Sequence, residues 1–96
     1  MKIDFAKENG GLLLSLDGRL DTVTAPELEG VLAAQYTVGE TLTIDCEKLT
    51  YISSAGLRVL LTAHKRMNGK MTLTKVGELV MEVLEMTGFV DILVIA

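Results

Sequence analysis

Cysteine is almost absent from this chain, which contains one such residue, Cys46. A single cysteine forms neither an intramolecular disulfide nor a cluster of thiolates around a metal. Because Cys46 falls in the apolar set of a predicted strand, we expect it to be a small buried side chain and not a reactive thiol.

The sequence also lacks an excess of positive charge. Its 13 acidic and 9 basic residues give a net charge of −4. A negative domain is repelled by phosphate backbones and by anionic lipid, so we expect no direct binding of nucleic acid.

No apolar run approaches the roughly 20 residues that a helix needs to cross a bilayer. Residues 1–5 alternate like a strand and lack the apolar region of a signal peptide. We therefore expect a cytoplasmic protein without membrane insertion, and the length of 96 residues suits one domain over residues 1–96.

Motifs of catalysis are missing as well. The chain has no Gly-x-Ser-x-Gly elbow, no glycine-rich phosphate loop and no His/Cys spacing of a metal site. Ser54 and His64 lie on one predicted helix, roughly 15 Å apart along its axis, whereas a nucleophile and its base must be about 3 Å apart. We expect no enzymatic activity, no cofactor and no metal, and we expect His64 at the edge of the core.

The most informative pattern lies in the middle of the chain, where a strand period changes to a helical one. Leu42, Ile44 and Cys46 alternate with polar residues, as in a half-buried strand. Apolar residues then recur at helical spacing, which predicts an amphipathic helix over about residues 54–67 with Ser53 or Ser54 at its N-cap. The predicted polar side of this helix contains Arg58, Thr62, Lys65 and Arg66.

Two interpretations of the serine pair remain open. Serine is a favoured N-cap because its oxygen accepts a hydrogen bond from a free backbone N–H. Alternatively, one serine is phosphorylated, since the N–H groups and positive dipole end of a helix N-terminus tolerate an added anion. Exposed Arg58 and Thr62 beside Ser54 would then face a partner, although positive charge on this helix also complements its dipole.

The remaining pattern predicts a small α/β domain. Residues 8–11 carry the Asn-Gly signal of a hairpin between two antiparallel strands. Thr24 and Glu27 have the spacing of a capping box at the start of a first helix. A third helix over residues 78–86 should end at Gly88, and residues 92–95 form a last strand. The predicted apolar face of this third helix comprises Leu79, Val80, Val83 and Leu84, with Met81, Glu82 and Glu85 toward solvent.

The resulting order is β-β-α-β-α-β-α-β. Threonines on alternate strand positions favour a mixed sheet of about five strands with helices packed on one face and the other face partly open.

Three segments, in the expected order, resemble one known family. The sequence ISSAGL of residues 52–57 resembles the phosphorylation motif of the bacterial anti-sigma factor antagonists, single-domain members of the STAS group. Residues 18–28 are similar to the Gly-x-Leu-Asp segment that precedes their first helix, and residues 85–89 to the turn after their third helix. Ser53 stands where the best-known members carry an aspartate.

The resemblance implies the same fold and a switch between protein partners. By it, Ser54 is the phosphoacceptor and Asp21 contributes to recognition by the kinase. The unphosphorylated protein binds an anti-sigma factor, itself an ATP-dependent serine kinase, and frees the sigma factor; a separate phosphatase removes the phosphate. Together with the exposed polar side of the helix, this predicts a set of partner-binding residues: Asp21, Thr22, Ser53, Ser54, Gly56, Arg58 and Thr62.

Two other functions remain possible on the sequence. If Ser54 only caps its helix, the domain is a permanent interaction module, such as the STAS subunit of a transporter or signalling complex. Alternatively, it binds a nucleotide or small ligand between strand ends and helix N-termini, where anions are favoured.

Overall fold

A computed structural model describes all residues, Met1–Ala96, and contains five strands and three α-helices. In chain order the elements are β1 (Lys2–Glu8), β2 (Gly11–Leu20), α1 (Ala25–Gln35), β3 (Thr41–Ile52), α2 (Ser54–Arg66), β4 (Met71–Thr74), α3 (Glu78–Thr87), a 3-10 helix (Phe89–Asp91) and β5 (Val94–Ile95). This order confirms the predicted succession of strands and helices. No helix is long and apolar enough to cross a membrane.

The strands form one mixed sheet in the order β1-β2-β3-β4-β5. Strands β1 and β2 are an antiparallel hairpin, and every other neighbouring pair is parallel. The hairpin turn is the predicted one: Asn9 and Gly10 both have positive φ angles, 26° and 80°, as a tight two-residue turn requires. The parallel strands need crossover connections, which the helices supply.

One face of the sheet carries the core, and the other stays partly open. Leu12, Leu14, Leu16 and Leu20 of β2 and the even-numbered residues in the first half of β3 are buried, whereas the residues between them are only half-buried or exposed. The buried sheet residues join those of all three helices in a single apolar cluster of 22 residues. The prediction of helices on one sheet face is therefore confirmed.

Strand β3 is longer than the sequence pattern indicated, because two irregularities change its period. Its register with β2 shifts between Ser15 and Asp17 and again between Gly18 and Arg19, each time with one extra residue on β3. The buried positions of β3 consequently change from every second residue, up to Cys46, to every third, at Leu49 and Ile52. The bulged half of the strand leads directly into α2.

Two details near the C-terminal end differ from the predictions. Leu79 is 68% exposed, so it does not belong to the buried face of α3, and Met81 is half-buried instead of solvent-facing. The last strand contains only Val94 and Ile95, because the chain first makes a 3-10 turn. The predicted C-cap is confirmed, since Gly88 has the left-handed φ of 79°.

Candidate functional site

The site is built where β2 and β3 end side by side. Leu20 and Ile52 are register partners, and the Ser53 N–H donates to the Leu20 carbonyl at 2.9 Å. The next turn packs equally closely: a Cβ on Gly56 would lie 2.7 Å from Leu20 Cγ and 3.0 Å from the Leu20 carbonyl oxygen. Only glycine fits there without displacement, so Gly56, which is buried, brings α2 against the end of β2.

The two serines have different environments. Ser53 is the N-cap of α2, with an extended backbone and a hydroxyl that accepts a hydrogen bond from the Gly56 N–H at 3.4 Å. Ser54 is the first helical residue and is exposed. The capping requirement is met by the first serine, and the hydroxyl of the second is available to solvent.

Asp21 follows β2 and organises the turn before α1. One carboxylate oxygen, Oδ1, accepts hydrogen bonds from the backbone N–H groups of Val23 and Thr24, at 3.0 and 3.1 Å, and lies 3.2 Å from the Thr24 hydroxyl oxygen. Chiefly because of the hydrogen bond from the Thr24 backbone, the pKa of the Asp21 carboxyl lies below its usual value. The second oxygen, Oδ2, lies 3.7 Å from Arg19 Nε.

Thr24 occupies the N-cap position of α1 but does not cap it with its side chain, so the predicted capping box is wrong. Its hydroxyl instead donates to the Arg19 carbonyl at 2.6 Å and accepts from the Asp21 N–H at 2.8 Å. Thr24 and Asp21 thereby bind each other and fix the loop between β2 and α1 to the end of β2.

Thr22, Arg58 and Thr62 line one shallow groove between the starts of α1 and α2, together with Ala55, which follows Ser54 in the helix. All three are exposed. Arg58 is one helical turn after Ser54, a spacing at which side chains on a helix surface meet. The structure thus brings six of the predicted residues to one edge of the domain, with the seventh, Gly56, buried beneath them.

Arg19 and Tyr51 belong to the same edge and were not predicted. The Arg19 guanidinium carbon lies 4.1 Å from the centre of the Tyr51 ring, a cation–π geometry. Arg19 lies opposite Tyr51 because the register of β2 and β3 shifts by one residue between Gly18 and Arg19. Together with Asp21 they form a small charged and aromatic surface beside the serines.

A five-stranded mixed sheet, covered by helices on one face and presenting a serine at the start of α2, defines a small α/β domain of the SpoIIAA-like fold. The STAS domain model matches residues 2–96. The chain therefore belongs to the STAS domain family.

Several proteins that are similar to this chain are named anti-sigma factor antagonists. The Bordetella bronchiseptica protein BtrV, a candidate anti-sigma factor antagonist, is 39% identical over 100 aligned residues, which cover 100% of this chain and 86% of BtrV. The structure of an anti-sigma factor antagonist from Mycobacterium paratuberculosis matches with a TM-score of 0.86 and 22% identity, covering 98% of this chain and 83% of that one.

The anti-sigma factor antagonist SpoIIAA has been solved in an unphosphorylated and a phosphorylated form. The unphosphorylated form matches with a TM-score of 0.79 at 16% identity, covering 99% of this chain and 88% of SpoIIAA. The phosphorylated form, from Bacillus, matches with a TM-score of 0.70 at 14% identity, over 99% of this chain and 91% of that one. At these identities the solved structures establish the fold.

Proposed function

We propose that this protein is an anti-sigma factor antagonist switched by phosphorylation of Ser54. Unphosphorylated, it binds an anti-sigma factor that is also a serine kinase, and the sigma factor is released. The kinase modifies Ser54, and a phosphatase restores the binding form. The protein is the substrate of this chemistry and not its catalyst.

The observation that carries the proposal is that the two serines differ in their structural role. Ser53 supplies the cap, so the exposed Ser54 is free of that structural role. The relationship to BtrV and the existence of a phosphorylated SpoIIAA support the choice of partner and of modification. Ser53 and Ser54 are also close enough in sequence to serve as each other's experimental control.

The position of Ser54 supports the expectation that the free protein tolerates a phosphate. A phosphate on Ser54 would add roughly −1.5 to −2 charge at a helix N-terminus, where unsatisfied N–H groups favour an anion. Arg58, one turn further along, has a guanidinium that can pair with it. We therefore expect phosphorylation to leave the fold intact.

The same phosphate would weaken binding because it is introduced into a surface that the partner covers. Even with Arg58 beside it, a dianion buried in an interface that supplies no further cation would cost about 2–5 kcal/mol, which corresponds to a tens- to thousands-fold loss of affinity. A change of that size is sufficient for a switch.

The first test is peptide mapping by mass spectrometry across residues 51–58 of protein isolated from its native cell under different growth conditions. A phosphate on Ser54 that varies with growth supports the proposal. Phosphate on Ser53 instead, or none under any condition, would contradict it; the latter result favours the permanent interaction module.

The second test uses the anti-sigma factor that co-purifies with the wild-type protein. Calorimetry compares its binding to Ser54→Ala, Ser54→Asp and Ser53→Ala. We expect Ser54→Ala to bind like the wild type and to resist phosphorylation, and Ser54→Asp to bind at least tens-fold more weakly. Ser53→Ala should remain a substrate. Equal affinity of the Ser54→Asp variant and the wild type would refute the electrostatic mechanism.

A further inference from the structure

The free edge of the sheet is the outer side of β1. This strand pairs with β2 along its whole length and has no neighbour on its other side. Seven residues of exposed strand edge offer a row of unpaired backbone groups to another chain. The opposite edge, β5, contains only two residues.

The hairpin determines which backbone groups face outward. Glu8 and Gly11 flank the two-residue turn and form a hydrogen-bonded pair, and alternate residues of an antiparallel strand then turn to opposite sides. The N–H and C=O groups of Ile3, Phe5 and Lys7 therefore point away from β2. None of them is bonded elsewhere in the loops and turns of the domain.

We propose that β1 is a self-association surface, at which two copies of this chain pair their β1 strands antiparallel about Phe5 and form one continuous ten-stranded sheet. In this register Phe5 faces Phe5, and Ile3 faces Lys7 of the second copy. All the outward backbone groups of both strands find partners, in six hydrogen bonds.

Charge selects this register over its neighbours. Centring the pair on Phe5 places Lys2 opposite Glu8 of the second copy, twice by symmetry. A shift to Asp4 would place two Asp4 side chains opposite each other, and a shift to Ala6 would place Asp4 opposite Glu8. Like charges directly opposite are destabilising, so of these three registers only the one centred on Phe5 is attractive.

The remaining β1 side chains are compatible with the pairing. Phe5 is 49% exposed in the single chain, and a cross-strand aromatic pair would cover it. Lys7 already donates to Glu40 at 2.8 Å on its own chain, so its charge is satisfied when it lies opposite Ile3. None of the residues around Ser54 belongs to β1, so both serines of the pair stay accessible.

Sedimentation equilibrium from micromolar to millimolar concentration tests the pairing on the whole chain. A single strand pair is a small interface, and we expect a weak, concentration-dependent dimer. Glu8→Lys is the most direct variant because residue 8 faces only Gly11 within the hairpin, and it should raise the dissociation constant roughly tenfold.

Lys2→Glu should weaken the dimer similarly, and the double variant Lys2→Glu with Glu8→Lys should return to within about threefold of the wild type. Circular dichroism verifies that each variant is folded. A monomer at every concentration, or a dimer indifferent to the single charge reversals, would overturn the proposal.

Amide hydrogen exchange supplies a second readout that is specific to the register. The amides of Ile3, Phe5 and Lys7 should gain protection as concentration rises, whereas those of Asp4 and Ala6 already bond to β2 and should not change. Concentration-dependent protection elsewhere, with Phe5 unchanged, would show that the chains associate through another surface.

Discussion

At the scale of single residues, Ser53 and Ser54 differ in what their hydroxyl groups bind. Ser53→Ala removes the oxygen that accepts from the Gly56 N–H, and we expect it to lower the free energy of unfolding by about 1 kcal/mol. Ser54→Ala removes an exposed hydroxyl and should change it by less than about 0.5 kcal/mol. Urea denaturation of both variants measures the difference. The reverse order of stability would mean that Ser54 is the cap.

Asp21 should make stability depend on pH in the acid range. Its folded pKa is lowered by hydrogen bonds that are absent in the unfolded chain. Its contribution is therefore complete above the unfolded pKa of about 3.9 and is lost as pH falls through the lower folded pKa.

Urea midpoints measured from neutral pH downward test this expectation. Asp21→Asn should be less stable than the wild type at neutral pH, and the two curves should converge in acid. Asp4→Asn, at an exposed position of β1, controls for the removal of any one carboxylate. Parallel curves for Asp21→Asn and the wild type would exclude a stabilising role for this carboxylate.

At the scale of elements, the contact between α2 and β2 depends on the missing side chain of Gly56. Gly56→Ala would force a Cβ to within 2.7 Å of Leu20, and we expect a loss of about 1–3 kcal/mol in the free energy of unfolding. The matched control is Gly30→Ala in α1, where a Cβ meets nothing within 4 Å and which should stabilise the domain by about 0.5–1 kcal/mol. Thermal unfolding of both variants checks the opposite signs. Tolerance of Gly56→Ala would show that Leu20 moves aside.

Elements with a clean period were predicted well from the sequence. The hairpin at Asn9 and Gly10, the helix after Ser53 and the stop at Gly88 each rest on local turn or capping chemistry, and the structure contains all three. Local patterns carry enough information there because the neighbouring residues alone determine the conformation.

The predictions from the sequence were wrong where contacts with other parts of the chain determine the conformation or the exposure of a residue. Leu79 fits the apolar period of α3, yet it is exposed because the position of α3 on the sheet leaves that side uncovered. Thr24 has capping spacing, but its hydroxyl oxygen accepts from the Asp21 N–H instead of from an N–H group of α1. The pairing of Arg19 with Tyr51 depends on bulges that no period in β3 reveals, so this part of the site could not be predicted.

At the scale of the whole molecule, Cys46 reports on the integrity of the core. It is 1% exposed, and burial, with a smaller effect of Asp45, raises the pKa of its thiol to about 12. Only the thiolate reacts with disulfide reagents. We therefore expect no labelling of the native protein at neutral pH beyond the rate at which the domain unfolds.

A thiol-labelling time course in increasing urea tests this expectation. The labelling rate should rise in parallel with the unfolded fraction, and a free energy of unfolding of about 5–10 kcal/mol would suppress native labelling by several orders of magnitude. A Cys46→Ala variant serves as the unlabelled reference. Rapid labelling without urea would reveal local opening between β3 and its neighbours.

The two extra residues in β3 constrain how this protein can change over evolutionary time. Between Cys46 and Ser54 the two extra residues decide which side chains face the core, and a one-residue deletion there would either remove a bulge or shift the register of the following residues against β2. A shift of register would take Ile52 out of the core, and the serines would lose their place at the start of α2. Length variation should therefore accumulate in the connection over residues 36–40, while the stretch over residues 46–54 keeps its length in functional descendants.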